Sequence, residues 1–294
     1  MKNLLARIGA LGFLVLGLPS MVVFATEPAS KFLPLSSACV VGDSLPPHFG
    51  GHDPTALVDL LSKAKTAKDK YESQGEYEGR MHSLLAALSP RPATTLCLRD
   101  LYGTAIYKAE SHTLSVALNS ADHSGFRDIG GSRRKFAVVE LKATNLDFHI
   151  VNAPIEGGTM TVTEDTGDVI RLGLPFDDYF ASIGRQPNVV RTAGHPVFSI
   201  ADSLDLKIKM SGNEARDVNE PPSPLAQKRL VVMHVVQLDA PFVSKTKDHM
   251  APRTVKSLPR IWNFNESLII AKDSEIVVFD DETGHIFSRL SGTH

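Results

Sequence analysis

Apolar residues recur along this chain with two periods, and the change from one to the other falls at Pro92. Before it the spacing is helical. Asp53-Pro54 supplies an N-cap carboxylate followed by a proline fit for the first helical position. Leu57, Leu60, Leu61 and Ala64 then follow at intervals of three and four, with Lys63, Lys65, Lys68 and Lys70 largely on other faces. This helix is expected to end near Gly75, where a second begins. Tyr77, Met81, Leu84, Leu85 and Leu88 keep the period until Ser89-Pro90-Arg91-Pro92 stops it. Residues 53–92 thus read as a helical hairpin.

After Pro92 the period is two. Leu114, Val116 and Leu118 alternate with smaller or polar residues, as do Val139, Leu141 and Ala143, and Leu146, Phe148 and Ile150. Asp165-Thr166-Gly167-Asp168 reads as a turn between strands at 160–163 and 169–174. Further strands are expected at 204–210, 230–238 and 275–279, the last turned by Asp280-Asp281-Glu282-Thr283-Gly284 into a hairpin with 285–290. Strands joined by turns, with few helices between them, predict antiparallel pairing. The expected class is therefore α+β: an N-terminal helical hairpin, then a mainly antiparallel β-sheet domain over 93–294, sandwich-like or barrel-like. The Pro-rich run 220–224 is a loop, and no internal repeat is visible.

The first residues belong to neither pattern. Lys2 and Arg7 precede an uncharged apolar run from Ile8 to Leu18, broken by Pro19-Ser20, and Val23-Phe24-Ala25 offers a cleavage site. Residues 1–25 therefore read as a secretory signal peptide cut after Ala25, which would leave 26–52 as an irregular N-terminal strap. Cleavage removes both basic residues and carries the net charge two units below its value of −2. No later segment reaches the roughly 18 unbroken apolar residues of a membrane-spanning helix, so no membrane span is expected after cleavage. The near-neutral charge offers no basic field for phosphates and argues against nucleic acid as a partner. A periplasmic or secreted location makes Cys39 and Cys97 a disulfide, the two being the chain's full complement of cysteine.

Glu76-Tyr77-Glu78-Gly79-Arg80-Met81, the step Asp178-Tyr179 and the strand ending Ala240-Pro241-Phe242 together resemble a group of uncharacterised bacterial exported proteins, over about residues 70–290. That resemblance implies a periplasmic or secreted β-rich protein and carries no substrate or catalytic residue with it. A second resemblance is local. Val40-Val41-Gly42-Asp43-Ser44-Leu45 is similar to the first block of GDSL serine esterases, which makes Ser44 the nucleophile by that likeness. Such a hydroxyl needs a His base and an acidic orienter. The chain departs from the family pattern in three ways. Pro46-Pro47 follows where a helix is expected, no His has Asp three residues before it (Glu282 and His285 come nearest), and residues 93–294 do not alternate strand with helix.

Other clusters have both a chemical and a plain reading. His48, His52 and Asp53 bear metal-ligating groups, but Asp53 serves better as a helix cap and the spacing matches no defined site. Arg133-Arg134-Lys135 after Gly130-Gly131 suits an anion or a solvated hairpin tip. Asp177-Asp178 and Asp280-Asp281-Glu282 lack the alternating oxygen ligands of a calcium loop and read as surface turns. Trp262 reads as a core anchor or as a platform for a sugar or peptide. Ser211-Gly212-Asn213 reads as a turn. No metal or cofactor is expected. The expected function is a non-enzymatic binding module for a protein or small-molecule ligand, with a GDSL-type esterase using Ser44 as the alternative.

Overall fold

The computed structural model describes residues 31–64, 68–101, 104–117, 125–129, 132–155, 158–175, 190–192, 195–197, 205–219, 229–250 and 260–291. The expected signal peptide, Asp177-Asp178 and the Pro-rich run 220–224 lie outside them. The fold is α+β and mostly antiparallel. Three helices occur among the described residues: α1 (Pro54–Ser62), α2 (Gln74–Ala87) and α3 (Gly212–Asn219). The strands are β1 (Leu96–Arg99), β2 (Thr104–Lys108), β3 (Thr113–Ala117), β4 (Gly125–Ile129), β5 (Ser132–Ile155), β6 (Gly158–Pro175), β7 (Val190–Thr192), β8 (His195–Val197), β9 (Asp205–Lys209), β10 (Leu230–Met250), β11 (Arg260–Asp280) and β12 (Ile286–Ser291).

Seven strands make the large sheet, in the order β1-β10-β11-β6-β5-β4, with β12 beside the C-terminal half of β11. The β6–β11 pair alone is parallel within it. A smaller sheet runs β2-β3-β9, and β7 pairs with β8. One core joins these parts. Leu57 and Leu61 of α1, Tyr77 and Met81 of α2 and Val218 of α3 meet Leu114 and Ile208 of the small sheet. They share one buried cluster with Val139, Leu172 and Ile269 of the large one. The opposite face buries Val231, Met233, Val277 and Phe279 under Cys39 and Leu45 of the segment before α1.

Central strands covered on both faces lose their alternation. This is why Leu230–Met233 and Leu268–Ala271 read as continuous apolar runs.

Several sequence expectations need correction. The turn at Asp165–Asp168 does not form, and β6 runs straight through it. Asp165 stands between Phe148 and Trp262, and Asp168 between Thr144 and Asn265. Ladders on both sides satisfy the backbone there and override the local turn preference. The two strands expected around Asn145 are one strand, in which Asn145 and Leu146 oppose Gly167 alone as a bulge. The first helix stops at Ser62 instead of reaching Gly75. Ser211-Gly212-Asn213 opens α3, the Ser211 hydroxyl accepting from the Glu214 N–H at 3.3 Å. Among the described residues no helix is long and apolar enough to cross a membrane.

Candidate functional site

A concavity lies between α2 and β10. Helix α2 starts at Ser73, which caps the Glu76 N–H while the Glu76 carboxylate accepts from the Ser73 N–H at 2.8 Å. This reciprocal pair fixes the first turn. Glu72 then grips the Arg80 guanidinium through both carboxylate oxygens, at 2.7 and 2.8 Å. Tyr77 and Met81 face the core and are buried, so the helix lies on the sheet by a narrow apolar stripe.

The facing wall is a bulge in β10. Leu238 pairs with Ala271 and Val243 with Ile269, so Asp239, Ala240, Pro241 and Phe242 together oppose Ile270. Proline fits here because a bulged residue owes the ladder no N–H. Phe242 takes φ +68°, a conformation that costs a bulky side chain about 1–3 kcal/mol, and the burial of its ring in the core holds it there.

Between these walls is a cavity of about 620 Å³. Tyr77, Met81, Leu85, Leu238, Pro241 and Phe242 give it an apolar floor, and Gln74, Glu78, His82 and Asp239 give it polar groups. The Gln74 Nε2 donates to Glu78 Oε1 at 2.9 Å and so orients that carboxylate. Gly75 and Gly79, four residues apart on α2, also line it, and a Cβ built on either meets nothing within 4 Å. A volume of this size with convergent polar groups is the ordinary form of a small-molecule site.

The expected nucleophile lies elsewhere. Ser44 is exposed on the strap and forms an antiparallel bridge with His285, and the next residue's N–H, from Leu45, donates to Gly284 O at 2.9 Å. Serine and histidine are thus neighbours along two backbones. The rest of a triad is not assembled among the described residues. The His285 ring stacks edge-on against Phe287 at 5.0 Å, and Glu282 is bound to Arg229 at 2.9 Å. No described hydrogen bond joins Ser44 Oγ to an imidazole.

The imidazoles of the strap are divided. His48 Nδ1 lies 3.4 Å from Asp281, whose other oxygen holds Arg99 at 2.7 Å. His52 is buried: its Nδ1 accepts from the Cys97 N–H at 3.0 Å, so its Nε2 carries the proton and donates to Ser37 O at 2.8 Å. Burial pushes its pKa below the ordinary value, and these backbone bonds only partly offset that. Asp53 caps α1, accepting from the Thr55 N–H at 2.9 Å. Cys39 and Cys97 are disulfide-bonded, with Cα atoms 5.3 Å apart.

Arg133, Arg134 and Lys135 lie at the start of β5, paired with Asp128, Arg127 and Phe126 next to the closing pair Ile129 and Ser132 of the β4–β5 hairpin. Trp262 holds a ladder position between Asp165 and Met250. Asp280 is buried in its turn. Burial raises its pKa, but bonds from Arg229, from the Thr283 hydroxyl and from the Glu282 N–H outweigh that and hold it low. No cluster of three metal-ligating side chains occurs among the described residues.

The cavity was missed as a site by sequence reasoning, although Glu76–Met81 and Ala240-Pro241-Phe242 were the segments that carried the resemblance. They are its two walls. The available signals were a proline inside a strand and two glycines at one helical spacing. Comparison of the chain with protein-family models, with curated proteins and with solved structures gives no match.

Proposed function

We propose that the protein is a non-enzymatic binding module, acting in the periplasm or after secretion, whose ligand enters the cavity between α2 and the β10 bulge. The observation that carries this reading is the cavity of about 620 Å³ floored by Tyr77, Met81 and Phe242, with Gly75 and Gly79 at its rim. Glycine inside a helix costs roughly 0.5–1 kcal/mol relative to alanine. Here that cost purchases no close backbone contact, only space. The basic-then-apolar N-terminus supports export, and the Cys39–Cys97 disulfide is compatible with it.

The test uses the neutral fluorescent reporter N-phenyl-1-naphthylamine. Saturable enhancement with the full chain, lost in Gly79→Leu while thermal unfolding stays cooperative, is the expected result. Enhancement that does not saturate, or that survives Gly79→Leu, overturns the reading.

The bridge between Ser44 and His285 favours a second reading, a GDSL-type hydrolase with Ser44 as nucleophile. Its test is labelling by a fluorophosphonate probe beside a Ser44→Ala control. Labelling lost in the control supports the hydrolase, and absence of labelling removes it.

A further inference from the structure

We infer that the protein captures an extended acidic segment of a partner protein as an added strand on the open edge of β10, at Val243–Lys247. This goes beyond the cavity reading and does not rest on it. The outer side of β10 is covered along one part and bare along another. β1 pairs with Met233–Val236, and the strap in turn fastens β1: the His52 N–H donates to Cys97 O at 2.8 Å, and the Cys97 N–H donates to His52 Nδ1 at 3.0 Å. β1 reaches no further than Val236. Beyond the bulge, Val243–Lys247 pairs with Asn265–Ile269 of β11, and among the described residues nothing pairs with its other side. Such an edge presents a row of N–H and C=O groups as a template for another strand.

The side chains select the strand that fits. Lys245 and Lys247 stand two residues apart, so they share a face, and both are exposed. Neither has an ion pair among the described residues. The carboxylates around them are engaged or belong to other positions. Asp168 lies in β6 beyond Asn265, whose Nδ2 donates to it at 2.8 Å. Glu266 stands opposite Thr246 on the other face and is bound by Arg171 at 3.2 Å. Asp239 lies across the bulge with the Lys272 ammonium at 4.0 Å, and Asp248 alternates onto the other face. Lysine on an open edge ordinarily opposes pairing. Two lysines at this spacing do so selectively. The same edge of a second copy brings like charges against them, whereas a strand with carboxylates at every second position sets one opposite each. Directly opposed side chains lie about 5 Å apart, which suits both ion pairs. Main-chain bonds then supply the affinity, and the two ion pairs supply the choice of strand.

The experiment follows three fluorescein-labelled octapeptides by anisotropy with the full chain. They are Thr-Glu-Thr-Glu-Thr-Glu-Thr-Val, its counterpart with Lys at each Glu position, and the acidic peptide N-methylated at every amide, which keeps its charge but has no ladder donors. The acidic peptide is expected to bind saturably, about tenfold or more tighter than the lysine peptide, with the preference narrowing as salt is added. N-methylation should abolish its binding. Lys245→Gln/Lys247→Gln should erase the preference and Lys245→Glu/Lys247→Glu should invert it, with thermal unfolding and the N-phenyl-1-naphthylamine signal of the cavity unchanged. Absence of acidic-peptide binding overturns the inference, as does a preference that survives Lys245→Gln/Lys247→Gln. An N-methylated peptide that binds as tightly as its parent also overturns it, by showing charge attraction without strand addition. The reporter signal is read on the same protein, so failure at the edge and failure of the cavity reading are told apart.

Discussion

Two segments are laid over the large sheet, and they are attached in opposite ways. The strap before α1 is stitched down atom by atom. Cys39 donates its N–H to Thr95 O at 2.9 Å, His52 donates its N–H to Cys97 O at 2.8 Å, and Leu45 and His48 donate to Gly284 and Asp281. Helix α2 instead rests on a few buried side chains and leaves a cavity beside them. Glycine marks the contrast. At Gly51, φ is +66° and an added Cβ would stand 2.6 Å from Cys97 O; at Gly284, φ is +74° and Leu45 O is closer still. At Gly75 and Gly79 an added Cβ meets nothing. The same residue secures a close approach in one region and preserves emptiness in the other. The seam has no spare volume, whereas α2 has space beside it, which the binding reading assigns to a ligand.

Cutting the seam should give the largest effect. The disulfide closes a loop spanning 58 positions, for which chain entropy predicts about 4 kcal/mol. Cys39→Ala/Cys97→Ala is expected to lower the urea midpoint accordingly, with reduction of the wild type giving a similar fall. Reporter binding at the α2–β10 cavity should persist in whatever fraction stays folded. An equal loss of stability and of binding per folded molecule would mean that the two regions are one unit and the contrast is false.

Filling the seam comes next. Gly284→Ala places a Cβ into Leu45 O and also asks alanine to hold a left-handed backbone, which together should cost about 3 kcal/mol. Gly51→Ala should cost somewhat less, because its clash is milder. Chemical denaturation of both variants checks the order.

Acid should loosen the strap before it affects the cavity. The His52 pKa is lowered in the folded state, so between that value and the unfolded 6.5 the unfolded chain binds more protons. Its contribution to stability is therefore complete above about pH 6.5 and is lost as pH falls through the folded value. His52→Ala leaves the Cys97 N–H without its acceptor and should cost about 2 kcal/mol at pH 7. The gap between variant and wild type should shrink toward pH 5. A gap that stays constant with pH would show that His52 acts by packing alone.

Much of this arrangement was legible in the residues, and the illegible parts have physical reasons. Asp53-Pro54 starts α1 because a cap is a local interaction read from adjacent residues. The cysteine pair and the α+β order were legible for similar reasons of count and period. The Asp165–Asp168 turn was misread because one of the two strands that flank it there, β11, lies far away in sequence. The cavity was hidden for another reason. Its strand wall is made by four residues of β10 opposing one of β11, and neither the hydrophobic period nor a catalytic motif records a register.

The smallest effect tests the contrast most directly, because its sign is opposite to that of the seam. Gly79 lies inside α2, where glycine gives the unfolded chain freedom that alanine does not. Its Cβ position is open, so Gly79→Ala adds no clash and should stabilise the protein by about 0.5–1 kcal/mol, raising Tm by roughly 2 °C. The methyl group takes little of the cavity, so reporter affinity should fall only slightly, whereas Gly79→Leu should abolish it. A single substitution that stabilises the fold while narrowing the cavity means that glycine stands there for what the cavity admits. If Gly79→Ala destabilises instead, the helix is pressed against the bulge more tightly than the open space implies, and α2 belongs with the strap as a fastening.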